Sequence, residues 1–288
     1  MIPAQFDYLT PATLDEAVGL LTQHADDAKI LAGGHSLIPA MKLRLAMPQI
    51  LIDIGRIKDL SYIREEGGQL RIGAMTTHYQ IESSDQLRDT CPILPECAAQ
   101  IGDAQVRNKG TFGGSLAHSD PAADWPAVAI ALGAEIVAVS ANGERVINAD
   151  DFFVDMLTTK LEPGEILREI RIPIPRGRFG QAYLKMPQPA SGFAVVGVAV
   201  HLSRDAGGTC ESASIGITGV ASKAYRASGA EAAIKGSALD EQAIAAAAQT
   251  AADGVSINGD IYASESYRTH LAQVYTRRAI QAAASRAK

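Results

Sequence analysis

The sequence predicts an α+β fold in two parts. Strand and helix patterns alternate irregularly along the 288 residues, which does not fit the regular alternation of a doubly wound parallel sheet. Two turn signals, Gly67-Gly68 and Asn142-Gly143, each separate a pair of apolar segments and indicate antiparallel hairpins. The composition changes at Pro173–Arg178, where two prolines, a glycine and basic residues cluster, and a domain boundary is expected there.

The N-terminal part begins with a helix signal. Thr13-Leu-Asp-Glu16 is a capping box, and the apolar residues that follow it recur on one helical face. Apolar segments that end in turn residues then predict strands at residues 29–32 and 50–54, and a hairpin at residues 62–65 and 70–74.

The rest of the chain continues the mixed pattern. We expect a helix over residues 124–132, a hairpin at 135–140 and 145–148, and a strand at 165–173 after the Pro163-Gly164 turn. Beyond the boundary we expect strands at 193–202 and 210–220, and helices at 240–252 and 265–284.

Charge and cysteine content limit the possible functions. The net charge of −6 and the pI near 5.5 argue against a nucleic-acid partner, which requires a basic face. Cys91, Cys97 and Cys210 are too few and too widely spaced for a disulfide framework or for the four thiolates of an iron–sulfur centre. The chain shows neither a signal peptide nor a membrane-spanning segment, and we expect a cytoplasmic protein.

Two glycine loops are the strongest functional signal. The first glycine loop is Ala32, Gly33, Gly34, His35 and Ser36, and the second is Thr111, Phe112, Gly113, Gly114 and Ser115. Adjacent glycines let backbone N–H groups approach a phosphate closely, although glycines also occur in ordinary tight turns. If the glycines make room for a phosphate, Gly33→Val or Gly114→Val would expel a bound dinucleotide. Neither loop has the spacing of a Rossmann fingerprint or of a P-loop.

The two loops also carry a family resemblance. Ala32–Pro39, and Thr111–Ser115 continuing through His118–Asp124, resemble the FAD pyrophosphate motifs of molybdenum hydroxylase medium subunits, as in aerobic carbon monoxide dehydrogenase and the xanthine dehydrogenase family. The opening Ile2–Tyr8 and the stretch Ile72–Thr77 are similar too. The resemblance implies a two-part FAD-binding domain of the vanillyl-alcohol-oxidase (PCMH) type over residues 1–175. A smaller α+β flavoprotein domain would then occupy residues 178–286.

The same resemblance implies further cofactor contacts. Asp124 matches a carboxylate on the ribityl or ribose hydroxyls, although its position before Pro126 is also that of a helix N-cap. Leu161 and Lys185 match residues close to the isoalloxazine. Ser115 replaces the asparagine of many relatives. Phe193 replaces a tyrosine of the carbon monoxide dehydrogenase pattern, which weakens the case for carbon monoxide as substrate of the complex.

The expected function is electron transfer through FAD. A [2Fe–2S] subunit would deliver electrons, a molybdopterin subunit would oxidise carbon monoxide, an N-heterocycle or an aldehyde, and the whole would form a dimer of heterotrimers. No catalytic residue and no metal ligand is expected on this chain. Two alternatives stay open: a stand-alone FAD-dependent oxidase or dehydrogenase of the same fold, and a cofactor-free interaction subunit.

Overall fold

The computed structural model describes residues 1–288. Its helices and strands are numbered in chain order. The strands are β1 (Asp7–Leu9), β2 (Ala28–Leu31), β3 (Ile50–Asp53), β4 (Ile63–Glu66), β5 (Gln69–Gly73), β6 (Glu135–Ser140), β7 (Gly143–Asn148), β8 (Phe153–Asp155), β9 (Thr158–Thr159), β10 (Ile166–Pro173), β11 (Arg178–Pro187), β12 (Ala194–Arg204), β13 (Cys210–Thr218) and β14 (Tyr225–Arg226). The helices are α1 (Leu14–His24), α2 (Leu37–Lys42), α3 (His78–Glu82), α4 (Asp85–Thr90), α5 (Ile93–Ala98), α6 (Ala104–Lys109), α7 (Phe112–His118), α8 (Trp125–Ala131), α9 (Ala149–Phe152), α10 (Ser228–Ile234), α11 (Glu241–Gln249) and α12 (Glu265–Arg286).

The first layer is a small parallel sheet in the order β1-β3-β2. Helix α1 connects β1 to β2 and buries Ala17, Val18 and Leu21 against the sheet. The predicted start of α1 is confirmed, because the Thr13 hydroxyl accepts a hydrogen bond from the Glu16 amide. The return bond of the box is shifted by one residue, since the Glu16 carboxylate accepts from the Ala12 amide at 2.7 Å.

The second layer is a five-stranded antiparallel sheet in the order β4-β5-β10-β6-β7. It contains both predicted hairpins, β4–β5 and β6–β7, and the predicted strand β10 lies at its centre. Its apolar face belongs to the largest core cluster, together with helices from the 78–132 segment. Trp125 and Phe152 are fully buried in that cluster, as is typical of large apolar side chains.

The C-terminal part is a four-stranded antiparallel sheet in the order β11-β12-β13-β14, on which α12 packs. The chain leaves the second sheet at Pro173 and enters this one at Arg178. The core continues across that change, because Tyr183 of β11 and Ala199 of β12 belong to the same buried cluster as Trp125 of α8. The N-terminal and C-terminal parts therefore share part of one hydrophobic core.

Several elements were not predicted. Strand β11 carries Gly180, Gln181 and Lys185 at buried positions, and these residues hide the apolar pattern of a strand. The helices between residues 78 and 118 have only five to seven residues each, which is too short for a helical period to be visible. None of the helices combines the length and the apolar composition that a membrane crossing requires.

The packing of α12 on β11 yields a stability prediction. A Cβ atom at Gly180 would lie 1.8 Å from the Ala283 carbonyl oxygen of α12, so Gly180→Ala is expected to lower the free energy of unfolding by about 2 kcal/mol or more. Gly19 is the matched control. It lies inside α1, and a Cβ atom there would meet nothing within 4 Å. Gly19→Ala should raise stability by about 0.5–1 kcal/mol. Urea denaturation measures both changes, and equal effects of the two variants would contradict the packing argument.

Candidate cofactor-binding site

The two glycine loops lie against each other, although about 80 residues separate them. A Cβ atom at Gly33 would lie 2.2 Å from the carbonyl oxygen of Lys109 and 2.9 Å from the Cα atom of Gly110. A Cβ atom at Gly114 would be 3.4 Å from the Cβ of Ala32. The first loop therefore packs directly on the backbone that leads into the second loop, and the two form a single junction.

The first glycine loop presents unpaired backbone donors. The N–H groups of Gly33, Gly34, His35 and Ser36 donate to no acceptor of the chain. Gly34 has a φ of +74°, a backbone conformation that turns the loop and favours glycine. The Ser36 hydroxyl makes no capping bond to α2 and is also available. Successive N–H groups of this kind form a concave anion-binding nest.

The second glycine loop is built differently, because most of its amides already have partners. The amide of Gly113 donates to Ala74 O at 2.9 Å, that of Gly114 to Thr111 Oγ1 at 3.1 Å, and that of Ser115 to Thr111 O at 3.0 Å. Thr111 thus caps α7, which begins at Phe112. The side chain of Phe112 is fully buried against Trp125, with ring centroids 4.5 Å apart. Within this loop, the Thr111 amide and the Ser115 hydroxyl have no hydrogen-bond partner in the chain.

These contacts give the glycines a second role. The sequence predicts that Gly33 and Gly114 lack side chains so that a phosphate can approach them, and this stays a prediction. In the fold, a side chain at Gly33 would strike the Lys109 carbonyl group, and one at Gly114 would strike Thr111 Oγ1 at 2.6 Å. A valine at either position would therefore disturb the junction itself. Cofactor loss in those variants would not isolate backbone approach to a phosphate.

A cavity of about 480 Å³ opens beside the junction. It brings together the predicted residues Ala32, Gly113, Gly114 and Leu161. Much of its wall is apolar, and Asp26, Lys29, Glu162 and Glu165 add charged groups. Its size and lining are typical of small-molecule sites. An anion nest next to an apolar cavity fits a ligand that joins phosphates to a flat ring, as FAD does.

Asp124 and Lys185 form a buried pair that does not line this cavity. Lys185 Nζ lies 2.9 Å from Asp124 Oδ1 and 3.0 Å from the Gln100 carbonyl oxygen, and the Tyr183 hydroxyl donates to Asp124 as well. Burial raises the pKa of Asp124, and its bonds to Lys185 and Tyr183 oppose that rise. Asp124 occupies the N-cap position of α8, as predicted, but its side chain makes no capping bond to the helix. Its contact with the cofactor, and that of Lys185, stay predictions.

His78 is a residue that sequence reasoning missed. It is buried at the start of α3, where Trp125 Nε1 donates to its Nδ1 at 3.0 Å. A Cβ atom at Gly110 would lie 2.6 Å from His78 Nε2, so the ring sits directly behind the loop junction. Burial, with smaller contributions from the neighbouring His35 and Arg107, lowers the pKa of His78 to about 4. The Thr77-His-Tyr-Gln80 capping box could have revealed this helix.

The other residues considered for a functional role each have a defined place in the fold. All three cysteines are buried and unpaired, and no group of three or more His, Cys, Asp or Glu side chains could hold a metal ion. His35 Nδ1 lies 3.1 Å from Gly33 O and is exposed at the nest. Phe193 is exposed just before β12. Arg107 is bonded to Glu82 at 2.7 Å and to two carbonyl groups, which makes it part of the scaffold.

Two family models match consecutive parts of the chain. The model for the FAD binding domain in molybdopterin dehydrogenase matches residues 4–175. The model for the CO dehydrogenase flavoprotein C-terminal domain matches residues 181–283.

Full-length relatives agree with these matches. The chain is 43% identical to the carbon monoxide dehydrogenase medium chain of Afipia carboxidovorans, with 100% of both chains covered. It is 37% identical to the 6-hydroxypseudooxynicotine dehydrogenase complex subunit alpha of Paenarthrobacter nicotinovorans, over 100% of this chain and 97% of that protein. A solved structure of carbon monoxide dehydrogenase from Hydrogenophaga pseudoflava superposes with a TM-score of 0.97 at 44% identity, over 100% of both chains.

The buried pair of Asp124 and Lys185 yields a prediction about the stability of the chain. Lys185→Met leaves the Asp124 carboxylate without its cation in a buried site, and should lower the free energy of unfolding by about 3–5 kcal/mol. The double variant Asp124→Asn, Lys185→Met removes both charges and should recover most of that loss. Urea denaturation measures stability in both variants. A double variant no more stable than the single one would show that the charge pairing is not what holds this region.

The lowered pKa of His78 predicts a pH dependence. An unfolded chain protonates this histidine near pH 6.5, whereas the folded chain does so near pH 4, so its contribution is complete above about pH 6.5 and is lost as the pH falls toward 4. That loss is on the order of 3 kcal/mol. His78→Gln keeps an acceptor for Trp125 and removes the titration, so its stability should fall less between pH 7 and pH 4. Parallel slopes for the two proteins would contradict a neutral, buried His78.

Proposed function

The chain belongs to the family of FAD-binding medium subunits of molybdenum hydroxylases, an oxidoreductase subunit, and from that membership we propose that it takes electrons from a [2Fe–2S] partner subunit and passes them to an external acceptor. Oxidation of the substrate takes place on a molybdopterin subunit in this proposal. The chain's own task is to hold FAD, orient it and exclude water around it.

The unpaired amides of the first glycine loop are the observation that carries the proposal. Gly33, Gly34, His35 and Ser36 would bind the FAD pyrophosphate through backbone N–H groups, and the Ser36 and Ser115 hydroxyls would add two further donors. Leu161 and the other apolar walls of the adjoining cavity would receive a ring of the dinucleotide. When bound, FAD would supply the chemistry of a carrier that can accept electrons one at a time and release them as a pair.

Asp124 and Lys185 would complete the site on the side of α8. We propose that Asp124 contacts the ribityl or ribose hydroxyls and that Lys185 lies close to the isoalloxazine, as matching positions do in the family. Their pairing keeps the lysine cation fixed by Asp124 and by the Gln100 carbonyl group. A fixed cation near the flavin favours its reduced, negatively charged form.

The composition of the chain supports a division of labour among subunits. Its three cysteines are buried and separate, so thiolate ligands for an iron–sulfur centre must come from another chain. Of the carboxylates at the cavity, Glu165 is bound by Arg145 at 2.5 Å and is not free to act as a base. These features favour an electron-transfer subunit over a stand-alone oxidase.

We propose a complex with a small [2Fe–2S] subunit and a large molybdopterin subunit, arranged as a dimer of heterotrimers in the cytoplasm. The proposed domains are residues 1–175 for FAD binding and 178–286 for the C-terminal flavoprotein domain.

Relatives are named for substrates as different as carbon monoxide and 6-hydroxypseudooxynicotine. The substrate class, whether carbon monoxide, an N-heterocycle or an aldehyde, is therefore set by the large subunit.

The cofactor proposal predicts a yellow protein. The purified chain, as isolated or after incubation with FAD, should show a flavin band near about 450 nm and release FAD on denaturation. Ser36→Ala removes a phosphate donor without a clash at the junction and should weaken FAD binding by about tenfold or more. Ser285→Ala, on the exposed end of α12, is the control and should bind FAD as the wild type does. A colourless chain that FAD cannot reconstitute would refute FAD binding.

A second readout separates an electron-transfer subunit from a stand-alone enzyme. FAD in the isolated chain should stay oxidised when the candidate substrates are added, and should become reduced only when the two partner subunits are present. Reduction by substrate in the isolated chain would support the stand-alone alternative.

A further inference from the structure

A buried tyrosine on β11 is bonded to the pair of Asp124 and Lys185. Tyr183 is fully buried, and its hydroxyl group donates a hydrogen bond to Asp124. Tyr183 and Lys185 are two positions apart on one strand, so their side chains leave the same face of the sheet. Asp124 therefore receives one donor from each of them. The hydroxyl group acts on the pair and not on the cavity, which Tyr183 does not line.

The fold reserves space for this hydroxyl group. Gly197 of the neighbouring strand β12 is paired with Lys185, and a Cβ atom there would lie 2.4 Å from the Tyr183 hydroxyl oxygen. A glycine inside a strand weakens the strand, and it is typical of a place where other atoms approach closely. A larger residue at position 197 would push the hydroxyl group away from Asp124. The tyrosine and the glycine thus form one fitted contact.

Gln100 holds the lysine from a second side. Its carbonyl oxygen accepts from Lys185 Nζ at 3.0 Å, and its side-chain amide donates to the Tyr183 carbonyl oxygen at 3.2 Å. Lys185 also donates to Asp124 Oδ2 at 3.0 Å. The ammonium group is therefore held between a carboxylate and a carbonyl group, and Tyr183 bonds to both of the residues that supply them.

The charges of this cluster are those of Asp124 and Lys185. Burial raises the pKa of Tyr183 and that of Cys97 on α5, so both side chains stay neutral. A buried ion pair depends on further hydrogen bonds that satisfy its remaining lone pairs. Tyr183 supplies such a bond to Asp124 without adding another charge.

We propose that Tyr183 is a positioning residue for the flavin: its hydroxyl group fixes Asp124, which in turn fixes the Lys185 cation beside the isoalloxazine. The proposal rests on the proposed function, in which Lys185 lies close to that ring, and adds the group that keeps the lysine in place. A cation favours the reduced flavin most when it is held where the negative charge develops. Without the hydroxyl group, Asp124 can turn in its site and Lys185 moves with it. The midpoint potential of bound FAD then falls.

The test removes the hydroxyl group and keeps the ring. In the full chain reconstituted with FAD, Tyr183→Phe should make reduction of FAD less favourable by about tenfold in the equilibrium constant, which lowers the midpoint potential by about 30 mV for two electrons. FAD should remain bound. Spectroelectrochemical titration measures the potential, and FAD released on denaturation gives the occupancy.

Tyr225→Phe is the matched control. Tyr225 lies in β14 of the same sheet, and its hydroxyl group donates to the Ala251 carbonyl oxygen at 3.1 Å and not to the pair. The substitution therefore removes the same atom and one hydrogen bond. The potential of FAD in this variant should equal that in the wild type.

A second comparison shows whether Tyr183 acts through the lysine. The background Asp124→Asn, Lys185→Met contains no cation, while asparagine keeps a polar group for the ribityl or ribose hydroxyls. Adding Tyr183→Phe to this background should leave the potential unchanged, because the effects of groups that act through one another are not additive.

Four results would overturn the proposal. The first is a potential in Tyr183→Phe that equals or exceeds that of the wild type. The second is the same lowering in Tyr225→Phe, which would assign the effect to a general loosening of the sheet. The third is a lowering by Tyr183→Phe that persists in the background without the lysine. The fourth is complete loss of FAD from Tyr183→Phe or from that background, which would give these contacts a role in holding the cofactor and not in its potential. A wild-type chain that cannot bind FAD is a separate result, because it refutes the proposed function itself.

Discussion

The close approach of the first glycine loop to the Lys109–Gly110 backbone is the constraint on which the site depends. A Cβ atom on Gly33 would lie 2.2 Å from the Lys109 carbonyl oxygen, so no side chain fits at this position. This contact joins the parallel sheet of the N-terminus to the helices that lead into the antiparallel sheet. Both the anion nest and the cavity beside it lie where those layers meet. The buried His78 supports the junction from behind through its contact with Gly110.

Local sequence patterns predicted most of the regular elements, because turns and caps are local signals. Both hairpins, α1 and the central strand β10 lie where Gly67-Gly68, Asn142-Gly143, Thr13 and Pro163-Gly164 place them. Strand β11 was missed because its buried polar residues serve contacts made far away in sequence. Gln181 bonds to the amide of Ile93, and Lys185 bonds to Asp124. The hydrophobic periodicity of a local segment does not reveal partners that lie far away in the sequence.

The sequence predicted residues that meet in the fold, but not their hydrogen-bond partners. Members of both glycine loops and Leu161 line one cavity, whereas Asp124 and Lys185 do not, and their contacts with the cofactor remain predictions. The sequence could not show that amides of the second loop donate hydrogen bonds to Thr111 and Ala74, because that depends on where Ala74 lies in the fold. His78 also escaped notice, because its significance comes from Trp125, which is 47 residues away. Hydrogen-bond partners brought together by the fold are the part of a site that a motif does not contain.

The unequal hydrogen bonding of the two loops bears on how the subunit matures. Most amides of the second loop have acceptors in the chain itself, so this loop can take its final shape as soon as the chain folds. The first loop leaves its donors at a water-accessible position, where solvent can satisfy them at little cost. The chain can therefore fold in advance and wait for its dinucleotide. Binding of the dinucleotide can then follow folding, and it would stabilise the folded chain by mass action.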